Sequence, residues 1–424
     1  MKLRWKLEIP SWAPFLFFAA LLAARLADPP ALVFDEVHYI PAARALAEFR
    51  ADENAHHPPL AKLIGAVSVA ALGPLFGADS LIPVRLASAA FGLWLLWGLY
   101  RWMRRLGFSA PASQAAVWLT GFNFLWFVQS KVFMLETFFA AFGIWGTLEI
   151  FRGRSIRGWL LLGAAVACKW SALPYLAVGI WLELSRREPR GLLRIARGLG
   201  LSSVVYAASF LPAHPGRFAD FFSLHAEMWR GHLSLANANH PYSSRFWTWP
   251  LLIRPMWYHF ENVLGGTRSV FAGGNPALFW GALPAMGAAI YLGWLKPLFR
   301  ERRVPGMAAS GTASFDSTAF NPAAFNPAAV IALQFLASYL FWAVSPRSTQ
   351  YFYYYFNPSL WLGPAAVLAM ERLHSKLPFR MRPFALPGYV ALCGALFLHF
   401  LPILDGRIIP DGSFMSYMWF QSWI

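Results

Sequence analysis

Charge is what this sequence has least of. Lysine and arginine number 36 and aspartate and glutamate 20, so only 13% of the 424 residues are charged, while 58% are hydrophobic and 17% aromatic. A soluble globule of this size cannot cover its surface with so few charges, which makes lipid the solvent of the fold. Cysteine is nearly absent too. Cys168 and Cys393 lie far apart, each inside an apolar run, which excludes a disulfide framework and a metal-binding cysteine pair and leaves both as small core residues. The net charge of +16 raises the question of nucleic acid. The basic residues come in short clusters between apolar runs, not along one face, so no nucleic-acid partner is expected. No cleavable leader is expected either, because the first apolar run, from Trp12, leads straight into the segment around Asp35.

Long apolar sequence is abundant. A helix needs about 20 apolar residues to cross roughly 30 Å of hydrocarbon, and shorter runs cross when packed inside a bundle. Runs near 12–27, 84–100, 111–128, 132–150, 157–169, 171–184, 199–211, 276–295, 328–344, 358–370 and 384–401 qualify. They predict an all-α polytopic membrane protein of about eleven transmembrane helices, forming one membrane-embedded domain over 1–424. The stretch 157–184 reads as two spans or as one kinked helix. Lys and Arg accumulate in loops left on the cytoplasmic side. With the N-terminus inside, every inside segment is basic: Lys2 to Lys6, Arg101 to Arg105, Arg152 to Arg157, Arg186 to Arg197, Lys296 to Arg303 and Arg372 to Arg382. The C-terminus then lies outside.

The run from Leu60 to Phe76 is interrupted by Gly73 and Pro74, and counting it as a span would invert every later loop. It reads, with 37–49, as a pair of interfacial helices on the outer surface. Pro41 and the pair Pro58 and Pro59 suit first-turn positions, where a missing N–H costs nothing. Two outer segments are therefore long, 28–83 and 212–275. The segment 296–327, rich in Ala, Asn and Pro, reads as a flexible cytoplasmic linker.

Chemistry concentrates in the outer segments. Asp35 and Glu36 stand side by side a few residues beyond the first span, and adjacent carboxylates can divide labour, one as general base and one pairing with a cation. The plainer alternative is that one of them caps the following helix. His56, His57 and Lys62 follow. Adjacent histidines lack the spacing of a helical ligand pair, so His57 reads better as fixing the turn before Pro58 than as a metal ligand. Arg85, Lys131, Lys169 and Arg347 all sit at outer ends of spans, where a cation must be paired, snorkelling or holding an anion. Four together point to an anion, and a lipid phosphate fits. Glu136, one turn into a span, needs Lys131 or Lys169 as a partner. The aromatic segments 240–250 and 346–358 read either as walls for a sugar ring and an isoprenoid tail or as an interfacial aromatic belt.

Taken in order, FDEVHY at 34–39, HPPLAK at 57–62, VRLASAAFG at 84–92, ACKWSALP at 167–174, HPYSSRFWTWPLLIRPMWY at 240–258, GGNPALFW at 273–280 and the YFYYYFNP stretch after Arg347 resemble the protein O-mannosyltransferase family, enzymes of GT-C architecture. The resemblance implies a polyprenyl-phosphate-mannose donor, Ser or Thr of an exported polypeptide as acceptor, no required cofactor or metal, and a multi-pass protein of a bacterial cytoplasmic membrane with its site outside. It implies a catalytic acidic pair, Asp35 as the base with Glu36 its neighbour, Arg85 organising that pair or the donor phosphate, and Lys169 and Arg347 near the phosphate; Lys131, from its place at the outer end of a span, is a further candidate there. His57, Trp170, Asn275 and Tyr354, within the matched motifs, are expected to touch substrate. Association with a second copy or with the translocation machinery, and contact with membrane lipids, are further expectations. Segment 212–275 is too short for the extra β-rich domain of eukaryotic members, Glu136 stands where Asp is usual, and YFYYYF replaces a Tyr-His-Tyr pattern. Two other readings remain open at this stage: transfer of a lipid-phosphate sugar to lipid A or a cell-wall glycan, and a lipid or sugar transporter. The sequence shows no inverted repeat of the transporter kind.

Overall fold

Each apolar run forms helix over most of its length in the computed structural model, which describes residues 10–77, 79–186, 188–214, 220–234, 240–297, 325–345, 347 and 349–424. The first ten longer helices are α1 (Ala13–Ala23), α2 (Glu36–Ala47), α3 (Leu60–Phe76), α4 (Ile82–Arg105), α5 (Ala110–Gly121), α6 (Phe124–Lys131), α7 (Leu135–Phe151), α8 (Ser155–Cys168), α9 (Leu173–Leu184) and α10 (Gly191–Ala208). After them come α11 (Phe221–Ser234), α12 (Pro276–Ile290), α13 (Pro327–Val344), α14 (Leu362–Leu373) and α15 (Arg382–Leu404). Local chemistry sets many of the starts. Proline stands in the first turn of α4, α5, α9, α12, α13 and α15, where its missing N–H is no loss. Ser109, Asn123, Asn275 and Asn326 cap α5, α6, α12 and α13 by accepting a backbone N–H two or three residues on.

Among the described residues, five helices are long and apolar enough to cross a membrane unaided: α4, α10 with its short continuation to Ala213, α12 with its continuation to Leu295, α13 and α15. The helices α1, α3, α8 and α9 are apolar but shorter. The chain is a mostly helical, multi-pass membrane protein.

Three expectations change in detail, and at 157–184 the structure takes the two-helix alternative. The run 111–128 is two helices, α5 and α6, because Asn123 turns its side chain back to cap α6 and its amide out to Ser359 Oγ at 2.8 Å. Between α6 and α7 the chain bends by 112°. The stretch 157–184 resolves into α8 and α9, separated by an extended Lys169 and one 3-10 turn. Pro41 lies inside α2, not in its first turn, because the helix already starts at Glu36. An all-α fold is corrected by a three-stranded antiparallel sheet: β1 (Met256–Val263) and β2 (Gly266–Ala272) form a hairpin, and β3 (Ile408–Pro410) adds to β2 with Thr267 opposite Ile409. Gly266 is required there, since a Cβ would lie 1.9 Å from the Ile409 carbonyl oxygen. The expected linker 296–327 falls almost wholly outside the described residues, as does the Lys2 to Lys6 cluster.

Small residues let the helices close up, as expected where lipid offers no hydrophobic drive between them. At the contact of α7 and α8, a Cβ on Gly158 would lie 2.7 Å from the Gly146 carbonyl oxygen and 2.8 Å from the Ile150 nitrogen, both backbone atoms that cannot step aside. Gly158→Val is expected to destabilise the bundle by about 1–3 kcal/mol, the usual cost of overpacking. Thermal unfolding in detergent, followed by tryptophan fluorescence, reads this as a lowered midpoint; an unchanged midpoint would mean that α7 and α8 do not pack this closely.

Candidate active site

The site is assembled at the start of α2. Phe34 takes a left-handed backbone conformation (φ 49°), rare for a bulky side chain, and is held there by stacking on Tyr258 of β1 with ring centroids 4.5 Å apart. Tyr258 in turn accepts a hydrogen bond from Gln129 of α6 at 2.9 Å. The turn at Phe34 sends the two acids in opposite directions. Neither caps the helix in the usual way, since Asp35 at the N-cap makes no side-chain cap bond.

Glu36 points into the protein, and both it and Arg85 are 0% exposed. Its Oε1 accepts from Arg85 Nε at 2.9 Å and from the Phe133 backbone at 2.8 Å, and its Oε2 accepts from Arg85 Nη2 at 2.7 Å and from the Val33 backbone at 2.9 Å. Arg85 gives its remaining donors to the carbonyls of Leu26 (3.3 Å), Pro29 (2.9 Å) and Ala31 (3.0 Å). All five guanidinium donors are thus occupied. Arg85 therefore has no donor left for a phosphate, and Glu36 has no lone pair free for a substrate. Of the alternatives the sequence left open, the geometry matches one acid pairing with a cation and Arg85 set beside the pair, not on a phosphate.

Asp35 faces a cavity of about 420 Å3 together with His57, Lys169, His232, Arg347 and Tyr354. Its Oδ2 accepts from the Tyr39 hydroxyl at 3.1 Å, one helical turn on. Burial raises the Asp35 carboxyl above its ordinary value, with the Lys169 ammonium pulling the other way. Burial holds the Tyr39 phenol well above its own, so it stays protonated and donates.

Lys169, delivered by the break between α8 and α9, pairs with Glu136 and lies 5.4 Å from the centre of the Tyr353 ring. Arg347 lies 5.6 Å from the Tyr354 ring and forms no ion pair among the described residues; its Nε is buried without a hydrogen-bond partner. A second lobe of about 220 Å3 shares His57, Lys169, His232, Arg347 and Tyr354 with the first and is otherwise largely apolar, walled by Trp170, Leu173, Trp229, Phe341 and Trp342. Trp342 stacks on Tyr354 at 4.0 Å. Trp170 also donates to the Tyr206 hydroxyl at 2.9 Å, which meets His225 of α11 at 2.8 Å, so Trp170 helps seat α11 against the cavity. The two histidines at the neck are neutral at ordinary pH. Burial takes His57 well below its usual value, and burial with Arg347 and Lys169 nearby takes His232 down to about 4. His57 is held by a buried strut, Lys62 pairing with Asp52 and donating to the His57 carbonyl at 3.1 Å.

Two expected site residues lie elsewhere. Lys131 is spent on the carbonyls of Arg25 and Asp28 just beyond α1, the latter at 2.9 Å. Asn275 is locked in the bundle, its amide donating to the carbonyls of Phe122 at 3.0 Å and Cys393 at 2.8 Å while its oxygen caps α12. Tyr39, Trp342 and His232 were missed. Tyr39 was findable, four residues from Asp35 on one helix face, whereas His232 and Trp342 reach the site only through tertiary packing. Among the described residues, no group of three or more His, Cys, Asp or Glu is placed to hold a metal ion.

The fold resembles that of solved GT-C glycosyltransferases. It superimposes on the Saccharomyces cerevisiae protein O-mannosyltransferase Pmt1–Pmt2 complex bound to the sugar donor with a TM-score of 0.76 at 13% identity, covering 97% of this chain and 92% of that one. ArnT from Cupriavidus metallidurans matches with a TM-score of 0.60 at 17% identity, over 93% and 76%. Residues 217–423 match the family described as the C-terminal four TMM region of protein-O-mannosyltransferase. Proteins named polyprenol-phosphate-mannose–protein mannosyltransferase from Corynebacterium glutamicum and Mycobacterium tuberculosis are each 24% identical, the first over 100% of this chain and 95% of its own length, the second over 94% and 88%. The protein O-mannosyltransferase family is thus the one this chain resembles along its whole length, as its motifs indicated.

Because four donors converge on Glu36, Gln at this position would turn an amide NH2 toward groups that can only donate, and would leave the buried Arg85 without its counter-charge. Glu36→Gln is expected to cost about 3–5 kcal/mol of stability. A thermal midpoint within about a degree of wild type, in a domain where each kcal/mol moves it by about 2–4 °C, would remove Glu36 from this structural role.

Proposed function

We propose that the chain transfers mannose, with inversion, from a polyprenyl-phosphate-mannose donor to a Ser or Thr hydroxyl of an exported polypeptide, at the outer face of a bacterial cytoplasmic membrane. The observation that carries this is the two-lobed cavity: a partly solvated carboxylate in the polar lobe, cations at the neck and an aromatic, apolar second lobe. The names of the whole-length relatives supply the donor and acceptor classes. The same reading keeps the N-terminus inside and about eleven crossings, several of them by short helices packed in the bundle, with α2 and α3 lying on the outer surface.

The donor's isoprenoid occupies the apolar lobe, its phosphate the neck beside Lys169 and Arg347, and its sugar the polar lobe against Tyr354 and His57. The acceptor hydroxyl attacks the anomeric carbon from the face opposite the phosphate. As the new C–O bond forms and the C–O bond to phosphate breaks, the hydroxyl proton passes to Asp35 and polyprenyl phosphate leaves. A phosphate leaves as an anion and needs its charge met, not a proton. Lys169 is already half-committed to Glu136, so Arg347 supplies the excess positive charge. A preorganised donor of this kind typically lowers a barrier by roughly 3–4 kcal/mol. The raised Asp35 carboxyl makes a stronger base than an ordinary aspartate, and the Lys169 ammonium offsets part of that rise.

Purified protein given radiolabelled polyprenyl-phosphate-mannose and a Ser/Thr-rich peptide is expected to label the peptide. Asp35→Asn, with an unchanged unfolding midpoint, should lose about 10²-fold or more of that rate; substantial retained transfer would show that Asp35 is not the base. The pH profile gives an independent check. A proton on Asp35 disables it, and its raised pKa brings that proton on at higher pH, so kcat/KM should climb with pH through a limb clearly above the ordinary aspartate value of about 3.9. A limb at that ordinary value would contradict the buried base.

A further inference from the structure

Arginines also collect at the end of the bundle away from this site, with too few acids among the described residues to meet them. Arg101 and Arg105 close α4, and Arg152 and Arg154 stand in the turn between α7 and α8; these four line a recess of about 350 Å3. Arg154 also lines an adjoining recess of about 580 Å3, which adds Arg157 and, from α10, Arg194 and Arg197. Glu149 takes Arg152 at 2.8 Å and Arg154 at 3.2 Å, and Glu183 and Glu188 take Arg194 at 2.9 and 2.6 Å. Arg101, Arg105, Arg157 and Arg197 form no ion pair among the described residues, and Arg105 Nε is buried without a hydrogen-bond partner. Among the described residues, the seven guanidinium groups lining the two recesses meet three carboxylates, which leaves four positive charges unmatched, two in each recess. Their mutual repulsion is stronger beside lipid than in water, so an anion that enters is strongly favoured.

The depth of the recess says which anion. Arg85, at the active-site end of α4, and Arg105 are twenty residues apart on one helix, which is about 30 Å and matches the hydrocarbon thickness of a bilayer. With the active site at one interface, the arginine recess lies at the other, at the level of lipid phosphates. Apolar side chains continue from it toward the membrane interior: Trp97, one turn from Arg101 and with its ring 5.7 Å from that guanidinium, and Ile156 and Leu160 of α8, all three exposed on the helix surfaces. Phosphate chemistry at the arginines and acyl chains along this apolar flank describe one kind of molecule.

We propose that the paired recess is a binding site for the phosphodiester headgroup of a net-anionic phospholipid. A zwitterionic lipid presents the same phosphate with its own cation attached and so leaves the four charges unmet. The bound lipid fastens the α4 end, the α7–α8 turn and α10 to one another, 30 Å from the chemistry and without taking part in it.

The test is thermal unfolding of the full-length protein in neutral detergent with added phosphatidylglycerol, phosphatidylcholine or inorganic phosphate. Phosphatidylglycerol should raise the wild-type midpoint by several degrees and phosphatidylcholine should not. In Arg101→Gln/Arg105→Gln the rise should be lost, while the midpoint without lipid stays level or increases, because two unmatched like charges have gone; a merely structural pair of arginines would lower it. Arg372→Gln/Lys376→Gln, which removes the same charge elsewhere, should keep the lipid response. Equal rises in wild type and the Arg101/Arg105 variant, or loss of the rise in the Arg372/Lys376 variant, would overturn the site. Inorganic phosphate reproducing the full rise would overturn the lipid in favour of a free-anion site. Should the first variant fail to fold, Arg157→Gln/Arg197→Gln in the adjoining recess carries the same expectation, read by retention of phosphatidylglycerol in native mass spectrometry.

Discussion

The buried pair of Glu36 and Arg85 is the constraint on which the active-site end of the molecule depends. An isolated charge buried in a protein is so costly that it is ordinarily neutralised or moved, and here the two are tolerated because each is saturated: four donors on the carboxylate, five acceptors for the guanidinium. The partners come from the loop after α1, the start of α2, the start of α4 and the break between α6 and α7. One ion pair thereby fastens three stretches of chain that are distant in sequence, 26–36, the start of α4 and the α6–α7 break, and it does so where helix packing alone is weakest, at the ends of the helices. Asp35 is the next residue, about 3.8 Å away along the backbone, and inherits that rigidity without itself being consumed by it.

The division between the two acids follows from their surroundings. Glu36 meets only donors that belong to the protein and is fixed as an anion for structural use. Asp35 meets one, the Tyr39 hydroxyl, and presents the rest of its oxygen surface to the cavity. The same distinction sorts the cations. Arg85 and Lys131 are spent on protein carbonyls and carboxylate, Lys169 is shared with Glu136, and Arg347 has, among the described residues, the face of Tyr354 and no carboxylate. The neck is lined by two neutral histidines, so the positive potential there comes from Lys169 and Arg347 and does not vary across the ordinary pH range.

The helices were legible because their apolar runs are long and their starts carry proline or a capping residue, and Asp35 and Glu36 drew attention because they stand side by side just beyond the first apolar run. What escaped notice was decided by contacts across the fold. The hairpin at Met256–Ala272 alternates poorly, burying its first residues and most of its second strand against the bundle, so no period of two announces it. Asn275 lies in a motif of the family and looks like a reader of hydroxyl groups, yet its polar atoms are needed to close the bundle beside Phe122 and Cys393. Arg85 and Lys131 carry the same charge at the same depth as Lys169 and Arg347, and sequence position has no means of saying which cations the protein's own carbonyls will absorb.

That absorption is the useful variable at both ends of the molecule. A polytopic chain needs arginine and lysine at its interfaces for reasons of insertion, so their presence there says little about function. A guanidinium that the protein itself has satisfied is part of the scaffold. One that is packed among its neighbours and left without a carboxylate carries a standing electrostatic cost that the fold does not repay, and it persists where something outside the chain completes it. Arg347 meets that description beside the cavity, and Arg101 and Arg105 meet it at the opposite interface, beside an apolar surface that continues into the lipid. The two places differ in what surrounds the unmet charge: at the first the Asp35 carboxyl lines the same cavity, and at the second the lining among the described residues is arginine beside apolar side chains. The first arrangement is suited to moving a phosphate-linked group, the second only to holding one.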